Sequence, residues 1–397
     1  MGVIESPPST TSSEGAPSSG GVPPSSPSSS VMNPNAIKVD LFARTDVGRI
    51  REHNEDNFLV ADLSRRTRSL LETNRVARVG QHGLLLVVCD GMGGAAAGEI
   101  ASQLAVDVLF ERMCSGLSES RPLMRNDIAR RLVLAVEAAG TRIFQEAKAD
   151  RNRRGMGTTA TAAALVDDHL FLAQVGDSRG YILREGKLVL VTRDQSLVNQ
   201  LIEAGQLTEE EAETFEHNNI IMQALGTADT VQVDLTYVKL CKGDVLMLCS
   251  DGLSGMVRAD DIRDLMLSAE KPIDACKALT ERANQNGGHD NITVVIARFD
   301  GESLESPGEE TEALRYQKYP LPDPSPDSTE PLRPFFGAPA SSPNGDAIDL
   351  VSMRPPVNST LDEPIDIPQG RPAGLLLTFI ALIVIAAVGV ALVLTKS

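Results

Sequence analysis

Four apolar runs in this sequence end on an aspartate beside glycine or asparagine, and that ending constrains the fold more than any bulk property. LLLVVCDGMGG (84–94) places Asp90, AQVGDS (173–178) places Asp177, LCSDG (248–252) places Asp251, and GGHDN (287–291) places Asp290 before the last apolar run. An early loop, RIREHNEDN (49–57), adds Glu55 and Asp56. A single aspartate of this kind is ordinarily a turn former or a helix cap. Several that converge at strand ends repel one another, which raises their pKa values or unfolds the site unless cations neutralise them. All these candidate ligands are oxygens, and no His or Cys stands at ligand spacing beside them, a chemistry that selects Mg2+ or Mn2+ over zinc. A water bridging two such ions becomes a nucleophile near neutral pH. The glycines let backbone approach closely, so the carbonyl of Gly91 could itself be a ligand.

The runs around these aspartates set the fold class. IKVDLFAR (37–44), NFLVA (57–61) and LLLVVC (84–89) read as strands. Ile100, Leu104 and Val108 with Ala101, Ala105 and Leu109 form a helical stripe, and a second helix from Asp127 carries Ile128, Leu132, Ala135, Ala139 and Ile143 on one face. TATAAALV (159–166), LFLAQVG (170–176), GYILR (180–184) and KLVLV (187–191) follow, with VDDH and REGK as hairpin turns. VQVDLTY (231–237), VLMLCS (245–250) and NITVVIARF (291–299) complete the strands, and helices over about 259–269 and 272–286 precede the last. Between about 195 and 227 a Glu-rich helical pair is expected, with Thr208 and Glu211 forming a capping box. Antiparallel groups with paired helices imply an α+β protein, a layered α-β-β-α sandwich of two antiparallel sheets flanked by helices, rather than a parallel βαβ sheet.

The ends of the chain differ in kind. Residues 1–35 are Ser, Pro, Gly and Thr with hardly a large apolar side chain, so a disordered tail is expected. Its opening MGVIES matches a myristoylation pattern at Gly2 and Ser6, which we read as a chance match in a low-complexity tail. The globular patterning occupies 36–300, and 301–371 reads as a flexible acidic, Pro-rich linker whose coil would span on the order of 45–50 Å. AGLLLTFIALIVIAAVGVALVL (373–394) has no charge, and as a helix it spans roughly 33 Å, one hydrocarbon core. The reading is one C-terminal transmembrane helix acting as a tail anchor. No basic segment followed by an apolar one opens the chain, so the expected place is the cell membrane, single-pass, with a cytoplasmic catalytic domain. Arg371 and Lys396 flank the span with one charge each and do not decide its orientation. The net charge of −17, from 54 acidic against 37 basic residues, repels phosphate backbones and argues against nucleic acid as a partner. Five irregularly spaced cysteines with no CxxC pair read as reduced, mostly buried thiols, neither a disulfide set nor a structural zinc site.

RIREHNEDN, VVCDGMGG, GMGTTATAA, VGDSRGY, LCSDGLSG and GGHDNITVV follow the order and approximate spacing of the metal-dependent Ser/Thr protein phosphatases of type 2C, the PPM family. Over about residues 38–300 the chain resembles the bacterial members that oppose transmembrane Ser/Thr kinases. The resemblance implies a monomeric catalytic domain acting on phosphorylated proteins with two Mn2+ or Mg2+ ions. It implies that Asp90 bridges both ions, that Gly91 gives its backbone oxygen to one, and that Asp251 and Asp290 complete the other. Asp177 and Asp251 would hold a weaker third ion. Glu55 and Asp56 would hold waters bound to the ions, and Arg51 would grip the substrate phosphate as a bidentate fork. A metal-bound water then attacks phosphorus in line, with no covalent enzyme intermediate. Met92 stands where eukaryotic members carry a proton-donating histidine; bacterial relatives share this Met, which leaves a metal-bound water as the acid. Gln195, in TRDQS, stands where many members have His and receives no catalytic role. Residues 195–227 correspond to a variable flap that influences substrate choice. Residues 62–82 are longer than usual and carry Arg65, Arg66, Arg68, Arg75 and Arg78, either as a solvated loop or as an anion-recognition patch.

Three other chemistries fit the sequence less well. Cys276 and Arg282 have the C-x5-R spacing of cysteine-dependent phosphatases, but the intervening KALTE is helix-forming and lacks the glycines of a phosphate-cradling loop. A catalytically inactive, membrane-tethered phosphoprotein-binding module would have lost a core aspartate, and none is lost. A two-metal nuclease conflicts with the acidic balance.

Overall fold

The computed structural model describes residues 37–68, 76–93, 97–118, 123–212, 215, 219–308 and 313–322. The expected tail 1–35 with Gly2, Arg75, the expected linker beyond 322 and the expected membrane helix 373–394 lie outside these residues. Among the described residues no helix is long and apolar enough to cross a membrane.

The chain begins with β1 (Lys38–Asp46), β2 (Asn57–Asp62), β3 (Thr67–Arg68), β4 (Val76–Arg78), β5 (Leu84–Cys89) and β6 (Gly91–Met92), followed by α1 (Ala97–Cys114) and α2 (Arg125–Ala149). Then come β7 (Gly157–Thr158), β8 (Ala160–Val166), β9 (His169–Val175), β10 (Arg179–Arg184) and β11 (Lys187–Leu190). The short helices α3 (Leu197–Glu203) and α4 (Glu209–Ala212) precede β12 (Asp234–Lys239) and β13 (Val245–Cys249). The helices α5 (Asp251–Ser254), α6 (Ala259–Ser268) and α7 (Pro272–Gln285) lead to β14 (Ile292–Asp300). One sheet has the order β11-β10-β13-β14-β1-β4 and the other β12-β9-β8-β5-β2-β3, every pairing antiparallel.

Strand parity explains why these runs are apolar throughout. In β5, Leu84, Leu86 and Val88 enter the core between the two sheets, while Leu85, Val87 and Cys89 enter the core under α1 and α2. In β14, Val295, Ala297 and Phe299 face the intersheet core, and Ile292, Val294 and Ile296 face α6 and α7. Successive side chains point to opposite faces of a strand, so a strand covered on both faces must be apolar at every position. The result is the expected layered α-β-β-α arrangement. The tight turn at Glu185–Gly186 joins β10 to β11 with both residues at positive φ, as a two-residue hairpin demands. The predicted capping box is present, with Glu211 N–H donating to Thr208 Oγ1 at 3.2 Å and Thr208 N–H to Glu211 Oε2 at 2.9 Å.

Two expectations need correction. The alternating VQVDLTY run pairs only from Asp234, because the main chain of Gln232 is already taken: its N–H donates to Gln223 Oε1 at 2.7 Å and its carbonyl accepts from Gln223 Nε2 at 2.8 Å. The folded domain also does not stop at 300. Leu304 is buried, and residues 316–321 lie along the free edge of β12. There Tyr237 N–H donates to Gln317 O at 3.2 Å and Tyr319 N–H to Leu235 O at 2.9 Å. The Tyr319 ring packs edge-on against Phe171 and Tyr237, with centroids 4.9 and 5.3 Å away, and Tyr316 Oη donates to Asp234 at 2.8 Å. Composition hides this strap, because Tyr316, Tyr319 and Leu321 are scattered among prolines, lysines and glutamates.

Candidate active site

Each predicted carboxylate stands where a strand ends, and the two sheets contribute alike. Asp90 follows β5 and Asp177 follows β9 in one sheet, whereas Asp251 follows β13 and Asp290 precedes β14 in the other. Pairing of Asn57 with Cys89 carries Asp56 alongside Asp90. Gly91 pairs with Thr158, and a Cβ on it would lie 2.3 Å from the carbonyl of Gly98 and 2.5 Å from that of Glu55, so only glycine fits. Met92, opposite Gly157 in the same short ribbon, has no proton to give.

The electrostatics follow from burial. Asp56 is pushed up to about 7 by burial and then by Asp251 and Asp290, and Asp177 up to about 8 by burial, Asp251 and Asp194. Burial first, and then Asp56, Asp251 and Asp177, hold Asp90 well above the usual carboxylate range. Burial raises Asp251 too, against the lowering effect of a hydrogen bond with Asp90. Burial likewise raises Glu55. Arg51 Nη2 lies 2.7 Å from Asp290 Oδ2, with half of the guanidinium side chain open to solvent. One oxygen of each of Asp56, Asp177 and Asp251 is buried without a hydrogen-bond partner. Unpaired buried acceptors of this kind cost free energy that a bound cation removes. Among the described residues no three His, Cys, Asp or Glu side chains close on a single point as a ready-made cage. With Asp290 paired to Arg51, the donors still suit hard ions that keep several waters and take few protein ligands.

The groups that position these carboxylates are hydroxyls and amides that a search for charges passes over. Thr159 Oγ1 accepts the Asp90 N–H at 2.9 Å and lies 2.8 Å from Ser178 Oγ, which joins the Asp90 and Asp177 strand ends. Thr158 Oγ1 donates to Asp90 O at 2.8 Å. Ser250 Oγ donates to Asp56 Oδ2 at 2.7 Å and fixes that carboxylate from the other sheet. Asn291 Oδ1 accepts from Glu55 N–H at 2.8 Å, while its amide donates to Val47 O and His53 O, both at 2.9 Å, pinning the RIREHNEDN loop beside Asp290. All lie inside the quoted motifs; adjacency to an aspartate is a signal for Ser178, Ser250 and Asn291, whereas nothing beside Thr158 and Thr159 marks them.

A sequence model described as protein phosphatase 2C matches residues 69–293, more than half of the chain. The chain belongs to the protein phosphatase 2C family. It is similar to protein phosphatase PhpP of Streptococcus pneumoniae, 37% identical over 269 residues that cover 67% of this chain and 100% of that protein. It is also similar to serine/threonine phosphatase Stp of Listeria welshimeri, 34% identical over 253 residues, 64% of this chain and 93% of that one. Among solved structures it resembles the catalytic domain of the serine/threonine phosphatase PstP in complex with two manganese ions. That likeness has a TM-score of 0.55 and 34% identity, covering 66% of this chain and 99% of the PstP chain.

In this phosphatase 2C domain the C-x5-R spacing carries no chemistry. Cys276 is buried on α7, its thiol pushed up to about 12 by burial, and Arg282 pairs with Asp261 at 3.2 Å. All five cysteines are free. Within 62–82, Arg65 pairs with Asp62, Arg66 donates to Leu117 O, and Arg68 pairs with Asp107 over the Phe110 ring, so these three charges are engaged inside the domain.

The raised carboxylates make the ion-free phosphatase pH-sensitive in a stated direction. Asp56 and Asp177 keep protons to about 7 and 8 in the fold, against 3.8 for a free aspartate. Between those values the folded state binds more protons than the unfolded one, so stability falls as pH rises. The contribution is complete below about pH 4 and gone above about pH 8. In chelator the melting temperature should fall from about pH 5 to pH 8, and Mn2+ at pH 8 should restore it. A flat profile in chelator would contradict the burial argument.

Proposed function

We propose that the chain is a metal-dependent phosphoprotein phosphatase that hydrolyses phosphoserine and phosphothreonine, opposing a Ser/Thr kinase. The observation that carries this is the trio of buried, unpartnered carboxylate oxygens on Asp56, Asp177 and Asp251. The names of PhpP, Stp and PstP, and the manganese in the PstP complex, support the substrate class and the ion. Asp90, the Gly91 carbonyl, Asp251 and Asp290 would hold two Mn2+ or Mg2+ ions, and Asp177 with Asp251 a third. Such ions, when bound, offset the clustered carboxylate charge, polarise the phosphoryl group and supply a strongly nucleophilic water. The half-exposed Arg51 presents two N–H groups to phosphate oxygens in a geometry that lysine cannot reproduce. Glu55 and Asp56 orient water: Asp56 through its free Oδ1, with Ser250 locking the other oxygen, and Glu55 from a backbone fixed by Asn291. Met92 has no proton to give the leaving alkoxide, which leaves a water held at the site as the acid.

The proposal extends to the ends of the chain: residues 373–394 anchor a monomeric catalytic domain to the cell membrane from its cytoplasmic side. The full chain and a form ending at 372 should both hydrolyse phosphoserine and phosphothreonine peptides with Mn2+ and stop in chelator. Only the full chain should sediment with membranes. Metal-loaded, folded protein without turnover would end the enzymatic reading, and equal sedimentation of both forms would end the anchor.

A further inference from the structure

Gln195 received no role from the sequence, yet it grips the residue before Asp177 twice. Its main-chain N–H donates to Gly176 O at 3.0 Å, and its side-chain Oε1 accepts the Gly176 N–H at 2.9 Å. Gly176 sits at φ +101°, and a Cβ there would meet the Thr159 side chain at 2.6 Å, so the clamped loop cannot relax by substitution. The same Oε1 accepts from Gln223 Nε2 at 3.1 Å, and Gln195 O accepts the Met222 N–H at 2.9 Å. Gln223 is in turn fixed by its two bonds to the main chain of Gln232.

The segment 220–225 is therefore a crossbar between two strand ends. At one end Ile221 bridges to Ser196, and Gln223 reaches Gln195 and the Asp177 loop. At the other, Leu225 exchanges both backbone bonds with Thr158, whose hydroxyl holds Asp90 O. The crossbar leaves Ile220 and Met222 exposed, 41% and 49%, an apolar edge on the flap.

We propose that Gln195 is a positioning residue that couples the flap to the Asp177 loop through Gln223, so that a phosphoprotein bound against Ile220 and Met222 sets the placement of Asp177. The idea rests on the phosphatase reading, but part of its test does not need turnover. Amide hydrogen exchange at Gly176 should speed up about tenfold or more in Gln195→Met and in Gln223→Met, because the first removes the oxygen that accepts the Gly176 N–H and the second the bond that holds that oxygen in place. Gln195→Glu keeps the acceptor oxygen and should hold exchange within about twofold of the unsubstituted chain. For a phosphopeptide, Gln195→Met should raise KM about tenfold while lowering kcat less than about threefold, and Gln195→Glu should rescue KM. The double substitution should be no worse than either single one, the mark of two residues acting as a unit. Additive effects, failure of Gln195→Glu to rescue, or unchanged Gly176 exchange with a lower melting temperature would each overturn the coupling. An unsubstituted chain without turnover would refute the phosphatase reading alone, since the exchange measurements would still decide the coupling.

Discussion

Asp90→Asn should abolish phosphate-ester hydrolysis and, in the same protein, raise the stability of the ion-free fold. The two effects have one cause. Asp90 is surrounded by Asp56, Asp177 and Asp251 in a site where burial first, and then those carboxylates, hold its pKa well above the usual range. Its charge is useful only to a cation, and without one it must be cancelled by a proton. The amide removes the charge at nearly constant shape and keeps a hydrogen-bond donor among the neighbouring carboxylates. It cannot bridge two ions, so a loss of about three orders of magnitude in kcat is expected. Ion-free Asp90 must take up a proton to be buried and Asn need not, so the substitution should stabilise the ion-free fold, seen as a higher melting temperature in chelator at pH 8. Phosphopeptide turnover within tenfold of the unsubstituted chain would remove Asp90 from the centre of the site.

Ending the chain at 308 should cost far more than ending it at 322. Residues 313–322 supply the Tyr319 ring against Phe171 and Tyr237, the Tyr316 bond to Asp234, and backbone bonds along β12. Tyr319→Ala alone removes a large aromatic and its two edge-on partners, a loss of about 2–4 kcal/mol. Removing the whole strap also leaves the N–H and C=O groups on the outer edge of β12 without partners, a template for pairing with another chain. The shorter form should therefore melt lower and self-associate in light scattering, while the form ending at 322 behaves as the full domain does. Equal melting temperatures would show the strap to be a passive surface segment.

The contrast between these two regions shows what a sequence displays. Asp90, Asp177, Asp251 and Asp290 are legible because each interrupts an apolar run at a point where a charge is costly, and the fold brings all four strand ends together. The sandwich is legible for the same reason: β5 and β14 are apolar at every position, which only a strand covered on both faces requires. Thr159, Ser250 and Asn291 are not legible, because a hydroxyl or amide costs little anywhere and its partner lies in a distant part of the chain. The strap fails for a related reason. Its pairing edge, β12, becomes available only once the sheet exists, and three dispersed apolar residues do not announce it.

The neighbour of the first strand has a consequence for how the molecule is made. β1 pairs along its whole length with β14, so the middle of one sheet joins residues 38–46 to residues 292–300. A ribosome delivers the amino-terminal half seconds before the other. Until the last strand emerges, β1 has no partner on that side, Asp290 is absent, and Asn291 cannot fasten the loop that bears Arg51 and Glu55. A nascent chain is therefore catalytically silent until β14 has been made and has paired with β1. Premature termination anywhere before residue 300 yields no partial enzyme, only an unpaired sheet for proteases to clear.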